Sequence, residues 1–481
     1  MRMRYRSAVI LSAFALAGCT VGPRYAVPVS SPIELATEPN RDALANQPTD
    51  AFNPSTPLGP WWTFFDEQQL TALISTALTH NHDIRQAQAN LQASRAVFDE
   101  RRLDRAPTVT TQAGYERGIA QQTDANGDTA RRLSENTRVG FDAQWEIDLF
   151  GRLNRLSQSA LARSEATQAE LASIQLTIAA DVARLYYEGH GVQRRLDLAK
   201  GQAQSWRETV QQVQARVTLG NGSPEDLENA RANLLRSEAA IAPLEVARQQ
   251  TRFRLDVLTG YRPGHNTVDF SSASPAPLVR ELPLGDVDTL IRNRPDVVRA
   301  ERLLAASTED VGAATADLYP RLNLGGFIGF FALRGSVIGS QSRAFDIAPS
   351  VSWPALNLGS ARARLRASEA LSEGALAQYE QALLVAQEEV EHAVTQLTQQ
   401  QSRLAALLQS AVHGAAALDI ATTRYQAGAG SYLAVLENQR AWFDIRQELV
   451  QAETASYVHV IGLYKALGWG ASALNTFSME R

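Results

Sequence analysis

Few side chains in this sequence are placed for covalent chemistry, and Cys19, the only cysteine, has the strongest context. It closes the tetrapeptide LAGC (16–19), behind Arg2, Arg4 and Arg6 and the short apolar run SAVILSAFAL (7–16). A positive start followed by an apolar run too short to span a bilayer as a helix reads as a secretory signal. Small residues immediately before a cysteine form a lipobox. Cleavage there would remove residues 1–18, free the amine of Cys19 and let thiol and amine carry a diacylglycerol and an N-acyl chain. The alternative is an ordinary signal with a chance cysteine. Lipidation is favoured because an exported lone cysteine has no disulfide partner. Thr20, not aspartate, follows Cys19, which favours sorting to the outer membrane. Each buried CH₂ contributes about 0.8 kcal/mol, so several chains anchor stably.

Other candidates for chemistry are thin. His80 and His82 in HNHD (80–83) are two apart, so on a helix they point to different sides and make a poor metal pair. The glycines of GFIGFFALRG (326–335) sit in a strand pattern, not between strand and helix, so they make no phosphate cradle. No Walker A sequence or G-x-S-x-G is present. After processing, Met479 is the only methionine left, which argues against a methionine-lined copper(I) route. The expectation is a protein with no catalytic residue, no metal site and no cofactor beyond the lipid on Cys19. Net charge is −5 and becomes −8 when the signal removes three arginines and no acid. Nothing basic points to nucleic acid.

The elements around these residues repeat. DIRQAQANLQAS (83–94) resembles DVVRAERLLAAS (296–307) at an offset of 213, which also superimposes Pro107 on Pro320. At an offset of 208, Trp145, Gly151, GNGS (220–223) and Gly260 match Trp353, Gly359, GAGS (428–431) and Gly468. The chain therefore divides into a lipidated extended segment (19–60), a first repeat (61–260), a connector rich in Pro, Ser and Gly (261–285), a second repeat (286–470) and a tail (471–481). Each repeat opens with a helix, about 66–104 and 286–317, and continues into a strand pair, 108–117 with 138–147 and 321–330 with 344–353. Long helices over 152–219 and 360–427 follow, then returning helices over 224–259 and 432–467. Leu171, Ile178, Leu185, Val192 and Ala199, and Leu383, Val390, Leu397, Leu404 and Ala411, recur every seven residues, as in coiled coils. At 1.5 Å per residue each long helix would run about 100 Å.

RVGFDAQWEI (138–147) alternates cleanly. Val139, Phe141, Trp145 and Ile147 share one side; Asp142, Gln144 and Glu146 share the other. Leu322, Leu324, Ile328 and Phe330 share a parity, as do Phe345, Ile347, Val351 and Trp353. Ten residues suffice for a tilted strand to cross a bilayer. One chain has four such strands, whereas closed bacterial barrels start at eight. Open edges in lipid would leave backbone groups unsatisfied, so the barrel must be shared. Two chains give eight strands with a filled interior. Three give twelve and a water-filled lumen, with Asp142, Gln144 and Glu146 inward and Val139, Phe141, Trp145 and Ile147 toward lipid.

CTVGPRYAVP (19–28), WWTFFDEQQLTALISTAL (61–78), LIRNRPDVVRAERLLAASTEDVGAATADLYPRLNLGGFIGF (290–330), RYQAGAGSYLAVLENQRAWFDIRQELVQAE (424–453) and LYKALG (463–468) carry a family likeness. The chain resembles the TolC-like outer-membrane efflux factors, in the NodT-type lipoprotein lineage that serves resistance–nodulation–division pumps. The resemblance implies a mainly α homotrimer: an α-barrel of tandem-repeat protomers, a shared twelve-stranded β-barrel and a small equatorial region. It also implies a lipid-anchored location in the outer membrane with the helices in the periplasm. The function it implies is a passive duct exporting small amphipathic compounds or drugs, docked to a periplasmic adaptor and an inner-membrane transporter. Arg216, Arg424 and Tyr425, just before the glycine turns, could lock neighbouring helices as a gate, or be solvated charges favoured at helix C-termini. The turns Gly220, Gly222, Ser223 and Gly428, Gly430, Ser431 are expected to dock the adaptor, or to be merely tight turns. Relatives often carry an acid where this chain has Gly430. A protein-secretion outlet and a periplasmic coiled-coil scaffold without a pore are the alternatives; a detergent-free soluble rod would favour the latter.

Overall fold

A computed structural model describes residues 20–28, 52–53, 59–123, 127, 129–265, 268–271, 282–283 and 286–470. Cys19 and the signal segment lie outside the described residues. The chain forms two compact units, each built from both repeats: residues 1–29, 89–168 and 299–380, and residues 30–88, 169–298 and 381–481.

The helix expected over 66–104 is two helices, α1 (Gln68–His80) and α2 (His82–Leu103). Asn81 makes the break. Its backbone is extended, its side-chain oxygen accepts from the N–H groups of Asp83 and Ile84, and its amide donates to the carbonyl of Leu258. One buried side chain thus satisfies orphan groups at two helix ends. His80 bonds its own helix at Thr76 and stacks on Tyr261, so HNHD is a helix junction.

Strands β1 (Thr108–Thr123) and β2 (Thr129–Ile147) are longer than the alternation alone suggests. They lead into α3 (Arg152–Thr218), 67 residues long. The returning helix expected over 224–259 is split into α4 (Pro224–Ala239) and α5 (Ile241–Leu258). Pro243 explains the split, because it supplies no N–H for the carbonyl of Ala239 and its ring crowds that carbonyl. The helix expected over 286–317 likewise divides into α6 (Val287–Arg292) and α7 (Pro295–Ala316). Pro295 disfavours helical geometry at Arg294 and is itself suited to the first turn. Strands β3 (Arg321–Leu333) and β4 (Arg343–Ser352), α8 (Leu358–Gln426) and an unbroken α9 (Tyr432–Ala466) complete the chain.

All four strands belong to one antiparallel sheet in the order β1-β2-β3-β4, within the first unit. The repeats meet at the β2–β3 seam, where Val139 pairs with Phe330 and Asp142 with Phe327. Both repeat offsets converge in one interaction. The Trp145 indole donates to the carbonyl of Arg105, and the Trp353 indole donates to that of Leu318, 213 residues on.

In the second unit, α3 carries Gly189-His190-Gly191 in mid-helix, at a cost of roughly 0.5–1 kcal/mol per glycine. Each glycine makes room for a neighbour. A Cβ at Gly189 would strike the Phe270 ring, and one at Gly191 would strike Thr454. The first half of the connector is therefore pressed onto α3, with Val268 and Phe270 buried. His190, between the notches, is 3% exposed. Burial holds its pKa below the ordinary 6.5, helped by Arg194 and opposed by Asp269 and the backbone of Phe270. The unfolded chain takes a proton below pH 6.5 while the folded one refuses it, so stability falls as pH drops below that point. His190→Gln should flatten this dependence in chemical denaturation between pH 5 and 7.5, and an unchanged slope would exclude His190 as its source.

Candidate functional site: a membrane-facing sheet and two helical tips

The pairing register sorts the sheet into two faces. Val109, Tyr115, Ile119, Phe141, Ile328, Phe345, Ile347 and Val351 fall on one face, each more than half exposed in the single chain. Val139, Trp145 and Ile147 lie on the same face. An apolar surface of this extent on one side of a sheet is a membrane or partner surface. Asp142, Gln144 and Glu146 lie on the opposite face. There Asp142 accepts from Arg138 at 2.6 Å, and Glu146 accepts from Nε and Nη2 of Arg152 at 2.9 and 2.7 Å.

Two aromatic residues, Phe327 and Phe331, break the polarity of that second face. Phe327, 7% exposed, lies across Gly140 and Gly329, which oppose each other at the seam. A Cβ on Gly140 would come within 2.7 Å of its ring and one on Gly329 within 2.9 Å. The Arg138 guanidinium sits 4.0 Å above the ring centre. Alternation alone did not reveal this arrangement; the usable signal was a glycine in each strand at the seam.

The two tips, in the second unit, are built alike. Gly220 (φ 75°) and Gly428 (φ 73°) take the left-handed conformation that ends a helix. Asn221 then donates to the carbonyl of Arg216 and Ala429 to that of Arg424, at 2.9 and 2.8 Å. Ser223 and Ser431 cap the returning helices by accepting from Glu225 and Ala434. Gly222 and Gly430 face the turns just left, where a Cβ would meet Val217 at 2.9 Å and Arg424 at 3.3 Å. Of the three gate candidates, the structure brings two together. Arg216 lies 4.8 Å over the ring of Tyr425, which packs on Tyr432. Arg424 instead reaches back to the carbonyl of Ala429 in its own turn, at 3.4 Å. Among the described residues, no group of three or more His, Cys, Asp or Glu side chains converges.

Sequence reasoning also missed Arg294. Its guanidinium donates to the carbonyls of Ala466 and Ala386 and to the carboxylates of Asp296 and Glu389. It closes the end of α9 from 172 residues away.

A sheet with an apolar outer surface, strands of membrane-crossing length and long helical hairpins define an outer-membrane channel subunit. The comparisons place it further. The model of the outer membrane efflux protein family matches residues 73–261 and 287–469, and the chain belongs to that family. It is 30% identical over 475 residues to the solvent efflux pump outer membrane protein SrpC of Pseudomonas putida, covering 98% of this chain and 99% of that one. It is 29% identical over 469 residues to the cation efflux system protein CusC of Escherichia coli K12, covering 95% and 98%. Among solved structures, the outer-membrane channel OprN matches with a TM-score of 0.87 and 38% identity, over 94% of this chain and 100% of that one. The protein is the outer-membrane channel component of an efflux system.

Proposed function

We propose that three copies join their sheets into one twelve-stranded barrel and export small amphipathic organic compounds, including drugs, through it. The observation that carries this is the sheet itself. Its edge strands β1 and β4 each pair on one side only, while one face presents a continuous apolar surface. Unpaired edges in lipid cost several kcal/mol per backbone group, so a neighbour must supply partners. Helix α8 supports the same reading. It holds an 18-residue window of mean hydropathy 1.4, none of it buried within one chain, which neighbouring subunits would cover. Cys19, freed by removal of residues 1–18, anchors the chain by its acyl chains. The tips formed by Gly220, Gly222 and Ser223 and by Gly428, Gly430 and Ser431 dock a periplasmic adaptor serving an inner-membrane resistance–nodulation–division transporter. Organic cargo is favoured over soft metal ions because Met479 is the one methionine of the processed chain.

Unheated membrane extracts should show a detergent-resistant trimer that collapses to 52.4 kDa or slightly less on boiling. Loss of the gene should sensitise cells to organic solvents or amphipathic drugs. A monomer released without detergent would overturn the barrel. Metabolic palmitate labelling, lost in Cys19→Ala, tests the anchor.

The Arg216–Tyr425 contact is proposed to hold the tips together at rest. An exposed cation–π pair is worth about 0.5–1 kcal/mol, so Tyr425→Ala should raise entry of a bulky glycopeptide antibiotic by severalfold without lowering trimer yield. Unchanged susceptibility would remove Tyr425 from the gate.

A further inference from the structure

One level of the sheet carries an unbalanced charge. Thr110 pairs with Asp142, Asp142 with Phe327, and Phe327 with Asp346, so these four residues form a row across all four strands on the face opposite the apolar one. On the other face, Phe141, Ile328 and Phe345 are direct neighbours of the row, which puts it at the depth of the apolar band. Within the row, Asp142 is neutralised by Arg138, bonded at 2.6 Å. Arg138 is in turn fixed over the Phe327 ring at 4.0 Å. The Asp346 side chain is exposed and has no hydrogen bond or ion pair among the described residues. The pair Arg138–Asp142 sums to zero, and Asp346 leaves one net negative charge per chain.

We propose that this level is the charge filter of the pore: Asp346 makes it prefer cationic over anionic solutes, and Arg138 limits that preference by masking Asp142. The proposal rests on the reading that this face lines the water-filled lumen of a shared barrel. Three copies then place three uncompensated carboxylates at one depth. A lumen walled by protein and lipid focuses their field more than open water would, and rings of acids are the usual device of cation-preferring pores. Phe327 contributes by position. Lying flat in the notch of Gly140 and Gly329, it holds the guanidinium close to the wall and beside Asp142.

Thiol chemistry tests this without depending on whether the tips are open. Thr110→Cys, at the same level, is exposed in intact cells to ammonium-bearing and sulfonate-bearing methanethiosulfonates, with the unsubstituted chain as the blank for Cys19. Relative to a free thiol, the ammonium reagent should react faster. Adding Asp346→Asn should lower the ammonium-to-sulfonate rate ratio by about threefold, and adding Arg138→Gln should raise it by a similar factor. Equal ratios in all three proteins would overturn the filter. Both added changes are near-isosteric or surface changes, and trimer yield on unheated gels monitors folding; should Arg138→Gln fail to assemble, Asp346→Asn alone decides. If neither hydrophilic reagent reaches Thr110→Cys while a membrane-permeant maleimide does, the face is dry. The lumen reading itself then falls, and the filter with it.

Discussion

Arg294→Ala is expected to lower folding stability by about 2 kcal/mol, within the 1–3 kcal/mol that one buried acceptor left unsatisfied costs; the carbonyl of Ala386, in mid-helix, keeps its helical partner. The side chain is 6% exposed, and every nitrogen of its guanidinium is bonded. The acids at its far side are not the main source of the loss. Asp296 and Glu389 are 45% and 52% exposed, so water can solvate them once the cation is gone, and their pairing counts for little. The carbonyl of Ala466 has no such refuge. It ends α9, has no helical partner, and lies buried against a residue that places positive charge where the helix dipole favours it. Arg294→Lys should recover only part of the loss, because an ammonium cannot address two carbonyls and two carboxylates in a planar fork. Glu389→Gln should cost under about 1 kcal/mol. The measurement is chemical denaturation of detergent-solubilised trimer, compared across the three variants. An Arg294→Ala protein as stable as Glu389→Gln would show that the carbonyl of Ala466 finds water and that the fork is dispensable.

Arg294 also marks the limit of what the sequence discloses. It stands in RNRPDV, within the stretch that carries the family likeness, yet nothing local says that it meets residue 466. The parts that were legible are those governed by local periodicity: a two-residue alternation in four strands, a seven-residue series in two long helices, and glycine followed by serine at each tip. Ser223, Ser431, Gly220 and Gly428 sit where local rules put them, because capping and left-handed turns involve only neighbours in the chain. The helix breaks at Asn81 and Ala240 were missed for a different reason. Apolar spacing runs straight through both, and the break depends on one side chain reaching Leu258 in the first case and on one absent N–H in the second. The Arg216–Tyr425 contact joins hairpins of different repeats, so their shared role was inferable only as proximity to two similar turns. Alternation gave the faces of the sheet but not Phe327, whose place depends on glycines in two strands at once.

Those glycines support the second large effect. Gly329→Val is expected to abolish the detergent-resistant trimer. Gly329 and Gly140 face each other across the seam between the two repeats of one chain. Neither has a left-handed backbone, so the constraint is space. A Cβ on Gly329 would stand 2.6 Å from the Cα of Gly140 and 2.9 Å from the Phe327 ring, and closer still to the carbonyl oxygen of Val139. Backbone on the facing strand cannot swing aside as a side chain can. The seam must open, which exposes the ladder between β2 and β3 and frees Arg138 from its ring. Overpacking of a tight site costs about 1–3 kcal/mol when side chains can give, and here the obstacle is main chain, so the loss should exceed that range. Gly326→Ala is the control. It lies three residues away on the apolar face, where a Cβ meets only the carbonyl oxygen of Asp346 at 3.4 Å, and it should assemble normally. Trimer bands on unheated gels, with strand content from circular dichroism of the membrane-extracted protein, read both variants. If Gly329→Val assembles as well as Gly326→Ala, the β2–β3 seam is looser than the structure shows, and the flat seating of Phe327 cannot be what fixes Arg138.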